Sequence, residues 1–241
     1  MLTQIKPTMK TIHHTKTTRC LKTKTGGFTL VELLTVVSII AILGAAAMPA
    51  MQGALRSAQQ NRAMQDARQI GLALKSYASD FNGIFPAGVN SHDETITTSN
   101  DAFRGLFPNY IDTERVFAVA RSAWGPRADN RTDEISDILQ PGENHFAYIA
   151  GLSDTSKSDW PLIVDGTNGS GKFTSMRGEK GGCWEGTKGI VFTVGGSARI
   201  ILLRGDKEEK YLPREGYPNE NMLDLEAYMG TNVKLLEPAE G

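Results

Sequence analysis

A run of 20 residues, Phe28 to Ala47, contains only four polar side chains, Thr29, Glu32, Thr35 and Ser38. At about 1.5 Å per residue a helix of this length spans the roughly 30 Å hydrocarbon core of a bilayer. The one charge in it is Glu32, and a carboxylate inside a membrane helix costs about 2.5–3.5 kcal/mol on insertion scales. A segment that served only to cross or anchor would omit that acid. Glu32 therefore calls for a partner.

Charge distribution fixes how such a segment would sit. Residues 1–27 hold Lys6, Lys10, Lys16, Arg19, Lys22 and Lys24 and no acid, so the overall net charge of -1 hides an asymmetry. Without those six the chain has 20 basic against 27 acidic residues, a charge of -7, which argues against a nucleic-acid surface. Cationic residues ahead of an apolar helix stay in the cytoplasm, which predicts an exported head. Cys20 lies in the leader and Cys183 stands alone beyond it, so leader removal leaves no intramolecular disulfide. Cys183, beside Trp184, reads as a small packed residue.

Three readings fit the apolar run. A secretory signal peptide would use the small residues around Ala45-Ala46-Ala47 or Ala47-Met48-Pro49-Ala50 for cleavage, but its apolar core is usually about 7–15 residues and gains nothing from an acid. A plain anchor leaves Glu32 unexplained. The third reading accounts for the glycine pair, the length and the acid together. Gly26-Gly27-Phe28-Thr29-Leu30-Val31-Glu32-Leu33-Leu34 resembles the processing site of prepilins and prepseudopilins, the subunits of type IV pili and type II secretion pseudopili.

That resemblance implies cleavage after Gly27 by prepilin peptidase, N-methylation of Phe28, and pairing of Glu32 with the N-terminal amine of a neighbouring subunit during assembly. Physical chemistry makes these roles intelligible. Glycine lets an extended backbone enter a protease cleft. Cleavage leaves an ammonium at a helix N-terminus, where the macrodipole is already positive, and a carboxylate one turn away offsets both. The resemblance also implies self-assembly into a helical filament, contact with other pseudopilins and an inner-membrane assembly platform, and a single-pass inner-membrane precursor with a periplasmic head. Pilin helices often carry a proline after the apolar segment, which makes Pro49 a candidate helix kink; a simple end of the membrane helix is the other reading.

Beyond Pro49, Ala63, Ala67, Ile70, Leu74, Tyr77 and Phe81 recur at alternating spacings of four and three, one apolar stripe of an amphipathic helix. From Phe28 to Phe81 such a helix would be 54 residues, about 80 Å if continuous. Asn82-Gly83 and Pro86 end it. The predicted organisation is a cleaved leader (1–27), a transmembrane and assembly helix (28–51), the amphipathic half and its exit (52–86), a head with loops and an antiparallel sheet (87–203), and an acidic C-terminal tail (204–241). Strand signals fall at His145–Ala150, Leu162–Val164, Gly189–Val194 and Ala198–Leu203, the last two joined by Gly195-Gly196-Ser197. A short helix is expected within Glu220–Met229, stopped by Gly230. The fold class is α+β, pilin-like, a long N-terminal helix packed on a small antiparallel sheet.

Several blocks of the head, among them Trp160-Pro161-Leu162-Ile163-Val164-Asp165-Gly166, are similar to exported pseudopilin-like proteins, although those often have Asp-Gly where this chain has Gly195-Gly196. No catalytic or metal constellation stands out in the sequence. After processing only His92 and His145 remain, far apart, and His145 reads as a strand residue with an ordinary hydrogen bond. Gly166-Thr167-Asn168-Gly169-Ser170-Gly171-Lys172 fails the phosphate-loop pattern, because Phe173 follows the lysine. Major pseudopilins often bind calcium near the end of the head, so the resemblance implies calcium as a possible cofactor; Asp154, Asp159 and Asp165 are the acids considered for it, with no defensible spacing. The expected function is a non-enzymatic structural subunit of a type II secretion pseudopilus. A type IV pilus subunit for adhesion, motility or DNA uptake, and a membrane-anchored binding protein or enzyme, are the alternatives.

Overall fold

The computed structural model describes residues 27–206 and 209–240. The basic leader through Gly26, with Cys20, lies outside the described residues. The first element, α1 (Leu30–Asp80), is a 51-residue helix that contains Pro49 in its interior. Pro49 therefore does not end the helix, although its missing N–H leaves the Ala45 carbonyl without its usual donor. The chain divides into two compact units at Met51/Gln52, and each half of α1 follows the physics of its own unit.

In the first unit the helix buries nothing: its most apolar 18-residue window has a mean hydropathy of 2.4 and 0% of it is covered. In the second, Ala63, Ala67, Ile70, Leu74 and Tyr77 are buried, as their spacing predicts. Phe81 departs from that stripe. It lies just past the helix end, exposed, and stacks on Tyr77 with ring centroids 4.1 Å apart. The helix stops because Asn82 and Gly83 take left-handed backbone conformations, φ 54° and 78°, and the Gly83 N–H turns back to the Ala78 carbonyl at 2.7 Å.

The head is built on a five-stranded antiparallel sheet. Its first four strands, β1 (Phe146–Ala150), β2 (Pro161–Asp165), β3 (Lys188–Thr193) and β4 (Ala198–Leu202), lie close to the predicted spans. The chain then forms two small antiparallel ribbons, β5 (Arg204–Gly205) with β6 (Lys210–Tyr211), and β7 (Pro213–Arg214) with β8 (Tyr217–Asn221). The last strand, β9 (Lys234–Leu236), pairs with β1, so the order across the sheet is β4-β3-β2-β1-β9. Two short α-helices, α2 (Ser99–Arg104), capped by a reciprocal Thr98–Asp101 box, and α3 (Glu226–Met229), followed by Gly230, accompany the sheet, with single 3-10 turns at Glu114–Val116 and Ile135–Asp137. The helix expected within Glu220–Met229 is thus shorter, because Tyr217–Asn221 is taken up by β8.

The segment predicted as an acidic tail contributes to the core of the head. Leu212, Met222, Leu223, Leu225 and Val233 belong to the core. Beyond β9 the Glu237 carbonyl accepts from the Ser99 N–H at 2.9 Å, and the Ala239 N–H donates to Asn100 Oδ1 at 3.0 Å.

The helix and sheet of the head meet where Gly71 of α1 faces Phe192 of β3. A Cβ at Gly71 would lie 2.2 Å from the Phe192 ring, which is fully buried. Only glycine allows this approach. Gly71→Ala is expected to destabilise the head by about 1–3 kcal/mol, overpacking outweighing the roughly 1 kcal/mol gained in helix propensity. Thermal denaturation checks this; an unchanged or raised Tm would show that the ring has room to move.

Candidate functional site

Gly27, Phe28 and Thr29 precede the helix, and α1 starts at Leu30. What starts it is a reciprocal capping arrangement. The Glu32 N–H donates to Thr29 Oγ1 at 3.2 Å, while Glu32 Oε2 accepts from the Thr29 N–H at 2.9 Å and its hydroxyl at 2.8 Å. These contacts satisfy donors that a helix N-terminus otherwise leaves orphaned, with a carboxylate at the positive end of the dipole. The capping signature Thr29-Leu30-Val31-Glu32 was visible in the sequence and gives Glu32 a partner within its own chain. Farther along, Thr35 Oγ1 donates to the Glu32 carbonyl at 2.9 Å and Ser38 Oγ to the Leu34 carbonyl at 2.7 Å. The run's remaining hydroxyls are thereby satisfied inside the helix, as a bilayer requires.

A Cβ built on Gly27 meets nothing within 4 Å. Glycine at this position is therefore not demanded by packing within the described residues. Phe28 is exposed together with Leu30, Val31, Leu33 and Leu34.

The head holds a buried polar centre that sequence reading treated as ordinary. His145 immediately precedes β1 and is fully buried; its Nε2 lies 2.8 Å from Asp165 Oδ1 and its Nδ1 2.7 Å from Ser122 Oγ. Ser122 Oγ already accepts the N–H groups of Trp124 and Gly125 at 3.0 and 3.2 Å, so its own hydrogen goes to Nδ1. Nε2–H then donates to Asp165. The other oxygen of Asp165 accepts Trp184 Nε1–H at 2.9 Å and the Ile190 N–H at 2.7 Å. The order serine, histidine, aspartate is that of a nucleophile, a base and an orienting acid. Yet all three residues are buried and the serine oxygen is fully engaged, so the arrangement ties β1, β2, β3 and the 122–125 turn together.

The Asp154, Asp159 and Asp165 set does not assemble. Asp165 is spent on the network above, and Asp154 sits against Gly83. Among the described residues the group of acids close enough to share an ion is a different one, Glu114, Asp129 and Glu143. In the Gly166–Lys172 loop, Asn168 Oδ1 accepts the Ser170 N–H at 3.1 Å, and Lys172 pairs with Glu209 at 2.6 Å. Thr167 of that loop donates its N–H and hydroxyl to Glu237, whose carboxyl is raised above its usual range by burial, against the pull of those bonds. Burial, with the Asp165 charge adding to it, pushes the Cys183 thiol far up, so it is a packed and unreactive cysteine. His92 Nε2 contacts the Phe107 carbonyl at 3.0 Å in a turn. An open cleft of about 370 Å³ is lined by Arg62, Arg115, Arg121 and Arg127 together with Asp66, whose carboxyl burial lifts to about 6 against the attraction of Arg62.

An uncovered apolar helix led by an acid-capped N-terminus, in one chain with an α+β head, defines a membrane-anchored protein of modular build. Residues 22–48 match the prokaryotic N-terminal methylation motif, so this N-terminal segment is similar to that of type IV pilin-like proteins. No curated protein and no solved structure matches it.

Proposed function

We propose that this chain is a structural subunit of a type II secretion pseudopilus. In this reading prepilin peptidase cuts between Gly27 and Phe28, the Phe28 amine is methylated, and the head stands in the periplasm. The mature subunit leaves the inner membrane by joining a helical filament of its own kind, with other pseudopilins at an inner-membrane assembly platform. Pro49 marks where the helix gives way during that transfer.

The observation that carries the proposal is the helix from Leu30 onward, apolar and with none of its 18-residue apolar window covered, whose first turns lie within a motif of methylated N-termini, residues 22–48. Such a surface is covered first by lipid and then by the same helix of neighbouring subunits. The small head sheet and the single buried cysteine favour the secretion pseudopilus over a surface pilus.

Glu32 has two successive tasks here. In the precursor it caps its own helix; after cleavage the new ammonium of a neighbour competes for the carboxylate, and a buried charge pair replaces a capping box. Glu32→Gln separates the tasks, since the amide oxygen still accepts from Thr29 but carries no charge. Expected are normal cleavage and a loss of filament assembly of at least about tenfold, the equivalent of a 1.4 kcal/mol pairing term. Sedimentation of sheared filaments with immunoblotting checks it. Filaments at the wild-type level would remove the charge-pairing role.

A further inference from the structure

Four arginines converge on one open cleft of the head, Arg62 of α1 with Arg115, Arg121 and Arg127, around a space of about 370 Å³. The acid among the lining residues is Asp66, 3.9 Å from the Arg62 guanidinium. Arg121 is held by Glu185 at 2.7 Å, a carboxylate that it shares with Arg56. Arg115 and Arg127 are exposed and make no ion pair among the described residues. Like charges gathered round one concavity repel one another and focus a positive potential there. An anionic partner relieves that repulsion, and the chain without its basic leader carries a charge of -7 from which one could be drawn.

The complement lies on the same head. Around the 3-10 turn Ile135–Asp137, the acids Asp133, Glu134 and Asp137 fall within five residues, and none of them pairs with a cation among the described residues. Residues 133–136 are all exposed, and Ile135, 43% exposed, stands among the carboxylates. Several acids of the C-terminal segment behave otherwise: Glu209, Glu215, Glu220 and Glu240 each bond a lysine or arginine of their own chain. The turn is therefore an acidic knob with an apolar side chain at its centre. The cleft is a basic socket whose walls include Ala63, Val119 and Pro126. No ion pair joins the two within the chain, which leaves both free for another copy.

We propose that the arginine cleft receives the acidic turn 133–137 of a second copy of this chain. The contact rests on the reading of the chain as a filament subunit, in which identical heads stand side by side. The unpaired guanidinium groups of Arg115 and Arg127 supply forked donors for the neighbour's carboxylates, a geometry that arginine fits and lysine does not. Because knob and socket are different patches, each subunit gives its turn to one neighbour and takes that of another. Charge pairs of this kind set register and partner choice more than raw affinity, which complements the unspecific attraction between apolar helices.

The test compares the full chain, expressed with its processing and assembly apparatus, in the unaltered form and three charge variants. These are Arg115→Glu with Arg127→Glu, Asp133→Lys with Glu134→Lys, and all of these substitutions together. Each position is exposed, so the Tm should stay within about 2 °C throughout. Sheared filaments are expected to fall at least about tenfold in either reversed pair and to recover to within about threefold of the unaltered level when both are combined. A separate structural role for either patch would give no such recovery. Independently, Arg127→Cys with Glu134→Cys in a Cys20→Ser background, treated in membranes with a short bismaleimide, should yield linked multimers that neither single cysteine yields; the native Cys183 is buried. Unaltered filament levels in either reversed pair, a loss that the combined variant does not repair, or absence of that cross-link would overturn the contact and leave the filament reading standing. Cross-links that need both cysteines, with no sheared filaments from the unaltered chain, would support the contact and overturn the filament reading.

Discussion

Asp165→Ala is expected to remove about 3–5 kcal/mol from the head, a large share of the 5–15 kcal/mol by which ordinary domains are stable. The carboxylate is the common acceptor for His145 Nε2–H, Trp184 Nε1–H and the Ile190 N–H, all in the buried interior. Truncation strands three donors at once, each costing about 1–3 kcal/mol when left unmade, while water entering the small cavity recovers part of that sum. Asp165→Asn, with one acceptor oxygen and an added donor, is expected to cost less. Urea unfolding followed by tryptophan fluorescence measures both, since Trp184 is itself a partner. A loss below about 1 kcal/mol for the alanine variant would mean that the network contributes little and that the surrounding apolar residues hold these strands unaided.

Gly27→Val is expected to leave the chain uncut, with the full-length form replacing the mature one on a blot and methyl-Phe28 absent from the N-terminal peptide. The structure makes this substitution unusually clean. A Cβ at position 27 meets nothing within 4 Å among the described residues, so the substitution leaves the helix start and the head undisturbed and a loss of processing is read at the peptidase. A β-branched residue there resists the extended, narrow path that glycine offers to a protease cleft. A mature form appearing at the wild-type rate would place the cut elsewhere and restore the signal-peptide reading, for which a start near Met48 is the signature.

The parts of this molecule that were legible in the sequence are those whose signal is local. The stripe Ala63, Ala67, Ile70, Leu74 and Tyr77 is periodic because one helix face is buried, and the four main strands are apolar runs bounded by turn residues. Gly196, with φ 87°, supplies the hairpin geometry between β3 and β4. Strand β9 carried no such signal. Lys234–Leu236 is three residues long and becomes a strand only because β1 offers it an edge. The same holds for the two-residue partners of the small ribbons. Phe81 continued the spacing of its stripe and still faces solvent, because the helix ends at Asp80 and the chain turns away at Asn82 and Gly83.

Of the candidate sites, the N-terminal one was readable because the residues of its motif, 22–48, are contiguous in the sequence. The acidic cluster was not. Glu114, Asp129 and Glu143 are spread through an irregular segment and meet only when the turns around Asn130, Leu139 and Gly142, all with positive φ, fold them back. The serine–histidine–aspartate network was hidden for the same reason, with Ser122 in a loop and Asp165 at the end of a strand.

The edge position of β9 has a consequence for the order of events in synthesis. The helix that anchors the chain is made first, whereas the strand beside β1 comes from residues 234–236. Long-range pairing of this kind delays completion of a fold. The head cannot close its sheet, or secure Ser99 and Asn100 through Glu237 and Ala239, until residues 234–239 have been made. A chain lacking residues 234–239 would therefore keep the apolar helix and the first four strands but leave the β1 edge unpaired and Ser99 and Asn100 without these partners.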